Sequence, residues 1–232
     1  MKYSIIIPSY NRKDLLEACI NAVIENTYLT ENIELIIVCN GCKDGSVELV
    51  KHYSNTNKCI KIISWPEPLG FVKAVNLGLI VSSGEFVILL NNDCFLLNKN
   101  WIEILEYPFT IHPKAGITGP ALQRFTDKLQ GFIFFCVMIK RNVIHTIGYL
   151  DETFEIGHGE DADYTFKAIN AGYEMYQVPY NTETNFAANH DMISGAFPAY
   201  HKSFQTRMNI ANISEVIKKN SAILRERYNL AS

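Results

Sequence analysis

An α/β fold with a mostly parallel central sheet is predicted by three features of the chain. Short apolar runs alternate with segments of helical period over the first 90 residues, the rhythm of right-handed βαβ units. Those runs lack polar alternation, which marks strands covered on both faces. No repeat, low-complexity tract or linker divides the 232 residues, a length that one α/β domain fills.

Taken in order, Ser4-Ile5-Ile6-Ile7-Pro8 is a first strand ended by proline. In 13–26 the pairs Leu15/Leu16, Cys19/Ile20 and Val23/Ile24 recur every four residues and give a helix one apolar stripe. A strand over 33–39, a glycine-containing turn and a helix over 46–53 come next. A strand over 60–64, a helix over 70–81 and a fourth strand over 85–90 complete the first half. After Asp93 the rhythm changes. The pattern gives a helix over 98–107, short strands at 116–118 and 132–139, and an acid- and glycine-rich loop over 149–159. A helix over 161–171 is closed by Gly172 and followed by a strand over 173–179. The segment 181–197 shows little periodicity and is expected to be mobile. Ile210, Ile213, Val216, Ile217, Leu224 and Tyr228 mark a final amphipathic helix. One domain follows: 1–97 for a nucleotide-like ligand, 98–200 for a partner substrate, and a helical segment over 201–232.

Composition narrows the class. With 48% hydrophobic and 19% charged residues and a net charge of −3, the chain is globular and carries no footprint for nucleic acid. The longest apolar run, 131–139, is strand-sized and too short for a bilayer. The first residues lead straight into a strand without a signal-peptide core, so a cytoplasmic protein is expected. Six cysteines are scattered through predicted strands and helices and read as reduced, mostly buried small hydrophobes. Cys39-Asn40-Gly41-Cys42 has the C-x-x-C spacing of redox sites, and no second pair completes a zinc site.

The most informative stretch is Asn91-Asn92-Asp93, where the fourth strand stops. In open parallel sheets ligands gather outside the carboxyl ends of strands. A carboxylate flanked by two amides there suits a divalent cation and the phosphates it bridges. A polar strand-ending turn uses the same residue types.

Six motifs then occur in order: Ser4-Ile5-Ile6-Ile7-Pro8-Ser9-Tyr10-Asn11-Arg12, Asn40-Gly41-Cys42-Lys43-Asp44-Gly45-Ser46, Leu69-Gly70-Phe71 with Asn76-Leu77-Gly78, 84–93 ending in Asn91-Asn92-Asp93, Gly159-Glu160-Asp161-Ala162-Asp163, and Ala171-Gly172-Tyr173. Together they resemble a family 2 glycosyltransferase with the GT-A type fold, closest in pattern to the bacterial rhamnosyltransferase-like branch. The resemblance covers about the first 195 residues. It implies a single GT-A type domain with a nucleotide-binding first half, an acceptor-binding second half and flanking helices.

The resemblance further implies transfer of a sugar from a nucleoside-diphosphate donor (UDP-, dTDP- or GDP-linked) to a hydroxyl of a glycan or lipid-linked glycan, with inversion. It assigns Pro8, Ser9 and Tyr10, with Asn11 beside them, to the nucleoside pocket, Asp93 to the metal, and Asp161 to the general base. His190 matches a later histidine that resembles a metal ligand. Imidazole beside oxygen ligands suits Mn²⁺ better than Mg²⁺. The family's usual Asp-x-Asp begins here with Asn91, and its base-reading acid is replaced by Cys39, followed by Asn40, whose amide can pair with a pyrimidine edge. Asn91 and Asn92 line the donor side, with Lys73 available to phosphate as a point charge or exposed as an ordinary surface lysine.

Glu160 and Asp161 fall at a helix start, where the dipole favours ionised carboxylates. From residue type alone both read as helix caps; the resemblance makes Asp161 the base, Glu160 and His158 beside it are candidate acceptor contacts, and Asp163 either binds the acceptor or is structural. Asp163 lies about 200° around the helix from Asp161, so the two do not face one small site equally. Basic residues over 201–228 permit peripheral contact with an anionic membrane at its inner face; packing of that helix on the domain is the expected alternative. Two other classes remain open. A sugar nucleotidyltransferase would carry a glycine-rich, basic loop where Pro8-Ser9-Tyr10-Asn11 stands. A degenerate nucleotide- or sugar-binding domain is kept open by Asn91 and Cys39.

Overall fold

The computed structural model describes residues 1–124, 130–154, 156–178, 191–193, 197–202 and 212–230. The first half runs β1 (Tyr3–Ser9), α1 (Lys13–Asn26), β2 (Ile33–Asn40), α2 (Ser46–Thr56), β3 (Ile60–Trp65), α3 (Phe71–Val81) and β4 (Phe86–Leu90). The second half runs β5 (Cys94–Leu96), α4 (Trp101–Ile111), β6 (Ala115–Gly119), β7 (Leu122–Arg124), β8 (Gln130–Phe132), β9 (Cys136–Lys140) and α5 (Arg141–Ile147). It continues with α6 (Glu160–Asn170), β10 (Glu174–Gln177), β11 (Asp191–Ile193), β12 (Ala199–Lys202) and α7 (Ile213–Tyr228).

Seven strands form the central sheet in the order β10-β6-β9-β4-β1-β2-β3. All pairings are parallel except those of β9, which runs antiparallel between β4 and β6. The predicted α/β architecture is therefore present. Its apolar strands serve two cores at once: Ile5 and Ile7 join Leu16 and Ile20 of α1 on one face, while Ile6 joins Val72 and Val75 of α3 on the other. Each such side chain contributes about 1.5–3 kcal/mol by leaving water. α3 comes so close to β1 that a Cβ on Gly78 would run into Ile6.

Three local expectations change. The run 132–139 is not one strand; it breaks into β8 and β9 around a bend at 133–135, where Ile133 N–H donates to Ala121 O and Phe135 N–H to Ile133 O. The fourth helix starts at Trp101, whose buried ring anchors it and whose Nε1–H donates to Thr27 Oγ1 at 3.0 Å. His201 and Lys202, expected to open the C-terminal helical segment, instead close β12, which adds antiparallel to β5 in a small sheet with β11. The expected mobility over 181–197 falls mostly outside the described residues.

α7 packs on the domain. Asn220 and Leu224 are buried, and the Tyr228 ring meets Phe166 edge-on at 4.9 Å. Arg227 Nη1–H donates to Asp163 at 2.6 Å and to Asp151 at 2.8 Å. Among the described residues, no helix is long and apolar enough to cross a membrane.

Candidate active site

The carboxyl ends of β1, β2 and β4 lie side by side, and the predicted donor residues meet there. A tight turn follows β4: Asn91 N–H donates to Phe135 O at 2.8 Å, and Cys94 N–H to Asn91 O at 3.1 Å. Asn92 Nδ2–H donates to Ser9 Oγ at 3.1 Å, so both side chains are buried and tie the end of β4 to the end of β1. Pro8 and Ser9 are themselves buried in β1, and Tyr10 and Asn11 are half-buried at its mouth.

Asp93 is buried on this turn. Its Oδ1 lies 3.1 Å from His201 Nε2, and Lys202 N–H donates to Asp93 O at 2.9 Å, so β12 is stitched to the turn by backbone and side chain together. The His201 imidazole stacks on Phe135, with centroids 4.4 Å apart and planes 8° apart. Carboxylate and imidazole thus come from a turn and a strand far apart in sequence. His190, the histidine expected at this place, lies outside the described residues. Burial alternates over 197–202 in the structure, but the four residues of β12 are too few for a periodicity argument from sequence.

The loop after β1 is held in an uncommon conformation. Asn11 and Arg12 both have positive φ (53° and 56°), a left-handed backbone that is costly outside glycine. Tethers from the next loop hold it. Asn11 N–H donates to Cys42 Sγ at 3.2 Å, Lys43 N–H to Asn11 Oδ1 at 2.9 Å, and Lys13 N–H to Asp44 Oδ2 at 2.7 Å.

Two expected ligand contacts at the end of β2 are corrected. The Asn40 amide is occupied by protein: its Oδ1 accepts Leu69 N–H at 2.6 Å and its Nδ2–H donates to Gly70 O at 3.2 Å. Asn40 therefore shapes the loop leading into α3 and, buried there, presents almost no exposed amide to a base. Cys39 has no exposed surface and faces Cys42. Lys73 is exposed on the first turn of α3.

Asp161 stands in the first turn of α6, after Gly157, His158 and Gly159, which all have positive φ. Its Oδ1 accepts Ala162 N–H at 2.8 Å, and the nearby backbone N–H groups of Asp161, Phe134 and Gly159 favour its ionised form. Although Asp161 retains some accessible surface, surrounding protein desolvates it and pushes its pKa up to about 6, against the pull of those N–H groups. The bend at 133–135 therefore has two neighbours: Phe134 supports Asp161, and Phe135 supports the imidazole beside Asp93.

The remaining residues expected on the acceptor side are placed differently from one another. Glu160 is buried, near Gly157. His158 is half-buried, with Nε2 3.3 Å from Ser221 Oγ of α7. Asp163 is corrected: it is fully buried, paired with Lys167 at 2.8 Å and Arg227 at 2.6 Å, and accepts the Tyr228 hydroxyl at 2.8 Å. It has no surface to offer an acceptor and instead anchors α7. A further positioning residue escaped the sequence reading. The buried Asn76 amide donates to Leu150 O at 2.9 Å and accepts Leu150 N–H at 3.0 Å, fastening the loop before α6 to α3.

Residues 4–192 match the model of the family described as glycosyl transferase family 2. The chain is 27% identical over 199 residues to the glycosyltransferase AglE of Haloferax volcanii, covering 74% of this chain and 62% of that protein. It superimposes on the mannosyltransferase PcManGT of Pyrobaculum calidifontis, solved with GDP-Man and Mn²⁺, with a TM-score of 0.64 at 19% identity over 77% of this chain and 55% of that one. On S. aureus TarS in complex with UDP-GlcNAc the TM-score is 0.58 at 19% identity, over 72% and 53% of the two chains. The chain spans less than two thirds of these relatives' lengths.

Proposed function

The chain belongs to glycosyl transferase family 2, and we propose that it moves a sugar from a UDP-, dTDP- or GDP-linked donor to a hydroxyl of a glycan or lipid-linked glycan, with inversion at the anomeric carbon. One observation carries this: the 133–135 bend joins a half-buried carboxylate of raised pKa to the carboxylate–imidazole pair at the end of β4. An inverting transfer needs a base on one side of the anomeric carbon and charge stabilisation on the other.

Asp161 is the base. As the acceptor oxygen bonds to the anomeric carbon and the bond to the diphosphate oxygen breaks, the acceptor proton passes to the Asp161 carboxylate. The backbone N–H groups around it fix its direction and keep it ionised above about pH 6. On the donor side, Pro8, Ser9, Tyr10 and Asn11 line the nucleoside, and Asn91, Asn92 and Lys73 the diphosphate. Ser9 and Asn92 act as one buried unit, so the nucleoside and phosphate ends keep a constant separation.

The donor set fits a divalent cation. Asp93 and His201 present one oxygen and one nitrogen ligand within 3.1 Å of each other. Among the described residues, no three His, Cys, Asp or Glu side chains converge, so a bound cation would draw its remaining ligands from the donor or from water. The imidazole favours Mn²⁺ over Mg²⁺, and the ion's charge would stabilise the departing diphosphate. Asp93 and His201 would hold it; Phe135 keeps the imidazole plane in place.

The packed face of α7 supports a helix folded on the domain over one lying on a membrane. The test is thermal stability against nucleoside diphosphates and nucleotide sugars, each with and without Mn²⁺, since a ligand bound only by the folded state raises the melting temperature. A metal-dependent rise with one nucleotide sugar, followed by release of its diphosphate and a product of inverted configuration, is expected. No rise with any of them at millimolar concentration would overturn the donor assignment, and a rise with no diphosphate released would replace the transferase with a degenerate binding domain.

A further inference from the structure

Thr165 lies in the interior of α6 and has no exposed surface. Its hydroxyl donates to Asp161 O at 2.7 Å and accepts Phe132 N–H of β8 at 3.4 Å. A threonine that bonds back to the carbonyl one turn earlier is common in helices. Two features set this one apart. The carbonyl belongs to the residue assigned as the base, and the accepting side of the oxygen is taken by another segment of the chain. A hydroxyl has one proton to give and lone pairs to receive, so a single side chain makes both bonds. Beside it, the Tyr164 ring meets Phe134 edge-on at 6.0 Å, so α6 also packs on the bend that follows Phe132.

The far end of that bend belongs to the donor side. Phe135 O accepts Asn91 N–H at 2.8 Å, and the Phe135 ring lies against His201. The segment 132–135 is therefore bonded at one end to the helix of Asp161 and at the other to the turn of Asp93. We propose that Thr165 is a positioning residue: its hydroxyl fixes the first turn of α6 to β8, and so sets the separation of the Asp161 carboxylate from the Asp93–His201 pair. The role rests on Asp161 as the base. A base must reach the acceptor proton while the anomeric carbon stays in line with the departing diphosphate, and a displacement of about 1 Å can cost on the order of 100-fold in rate. Valine has the shape of threonine without the hydroxyl. In Thr165→Val, Phe132 N–H loses this acceptor and Asp161 O its side-chain donor, which frees α6 to shift against the segment. Phe135 keeps its bond to Asn91, so the donor side stays in place.

The experiment follows release of nucleoside diphosphate from UDP-N-acetylglucosamine, GDP-mannose and a dTDP-linked hexose, with Mn²⁺ present and water as the acceptor. Affinity for each nucleoside diphosphate is measured alongside. Thr165→Val is expected to lower kcat by roughly 10- to 100-fold, the scale of a misplaced group, with diphosphate affinity unchanged. Thr165→Ser, which keeps the hydroxyl, should restore most of the rate. Combined with Asp161→Asn, Thr165→Val should bring no further fall, because a residue acting through the base then has nothing to act on. Thr165→Ala removes the same hydroxyl and is read in the same way if the valine variant does not fold. Parent turnover in Thr165→Val, a loss that serine does not restore, or an equal loss in the Asp161→Asn background would each overturn the positioning role and leave Asp161 as the base. Parent turnover in Asp161→Asn, or release from none of the donors, would instead remove the base assignment, and the positioning role with it.

Discussion

His201 Nε2 lies 3.1 Å from Asp93 Oδ1, although 108 residues separate the two along the chain. The contact exists because β12 adds to β5, which begins one residue after Asp93, and because the Phe135 ring lies flat under the imidazole.

That pair makes a discriminating prediction about the metal. His201→Ala should weaken Mn²⁺ binding, measured by titration with a nucleoside diphosphate present, by roughly 10-fold or more, a scale set by losses of ligand support. His190→Ala should leave it near the parent value. The reverse outcome would return the ligand role to His190.

Asp161→Asn should lower kcat/KM by roughly 10²–10⁴-fold, the share of a positioned base, while nucleoside diphosphate affinity holds. In the parent, kcat/KM should rise with pH and level off above about 6, since only the ionised carboxylate accepts the proton. The raised pKa also has a stability sign. Burial favours the protonated form, so the group's contribution is fully present below its ordinary 3.8 and is lost as pH rises through about 6. Asp161→Asn should therefore melt at or above the parent at pH 8, a stability gained by giving up function.

Glu34 makes the opposite pH prediction at the other end of the sheet. It has no exposed surface and accepts from Ser4 Oγ at 2.6 Å, Ser83 N–H at 2.7 Å and the Lys61 ammonium at 2.6 Å. Those bonds outweigh desolvation and hold its pKa down to about 2. The stabilisation is present above the ordinary 4.5 and is lost as pH falls toward 2. Glu34→Gln should cost about 1.5–3 kcal/mol at pH 7, read from urea midpoints, and much less at pH 2.

α7 touches the segment around Asp161 at several points: Asn220 donates to Gly157 O, Ser221 meets His158, and Arg227 bridges Asp151 and Asp163. Arg227→Met should cost about 1 kcal/mol of stability, because the guanidinium is partly exposed. It should also lower kcat more than it changes nucleoside diphosphate affinity. A fall in nucleotide affinity with kcat unchanged would show that α7 does not position the base.

Much of the molecule was written locally in the chain. Ile5, Ile6 and Ile7 specify a strand covered on both faces because successive side chains alternate between two cores, and Leu15 to Ile24 specify α1 through a stripe recurring every four residues. Asp93 could be placed at the carboxyl edge of the sheet because the apolar run stops beside it. The identity of its partner could not. β12 has four residues, and its pairing is selected by burial of His201 against Phe135 and by a backbone bond to Asp93, both contributed by distant segments. The same holds for Asn40 and Asp163. Their residue types suited a ligand, but the loop at 69–70 and the side chains of Lys167, Arg227 and Tyr228 occupy their polar atoms. Periodicity and residue type act over a few positions, so they set the elements. Which polar groups remain open to a ligand depends on long-range packing, and that is settled only when the distant segments meet.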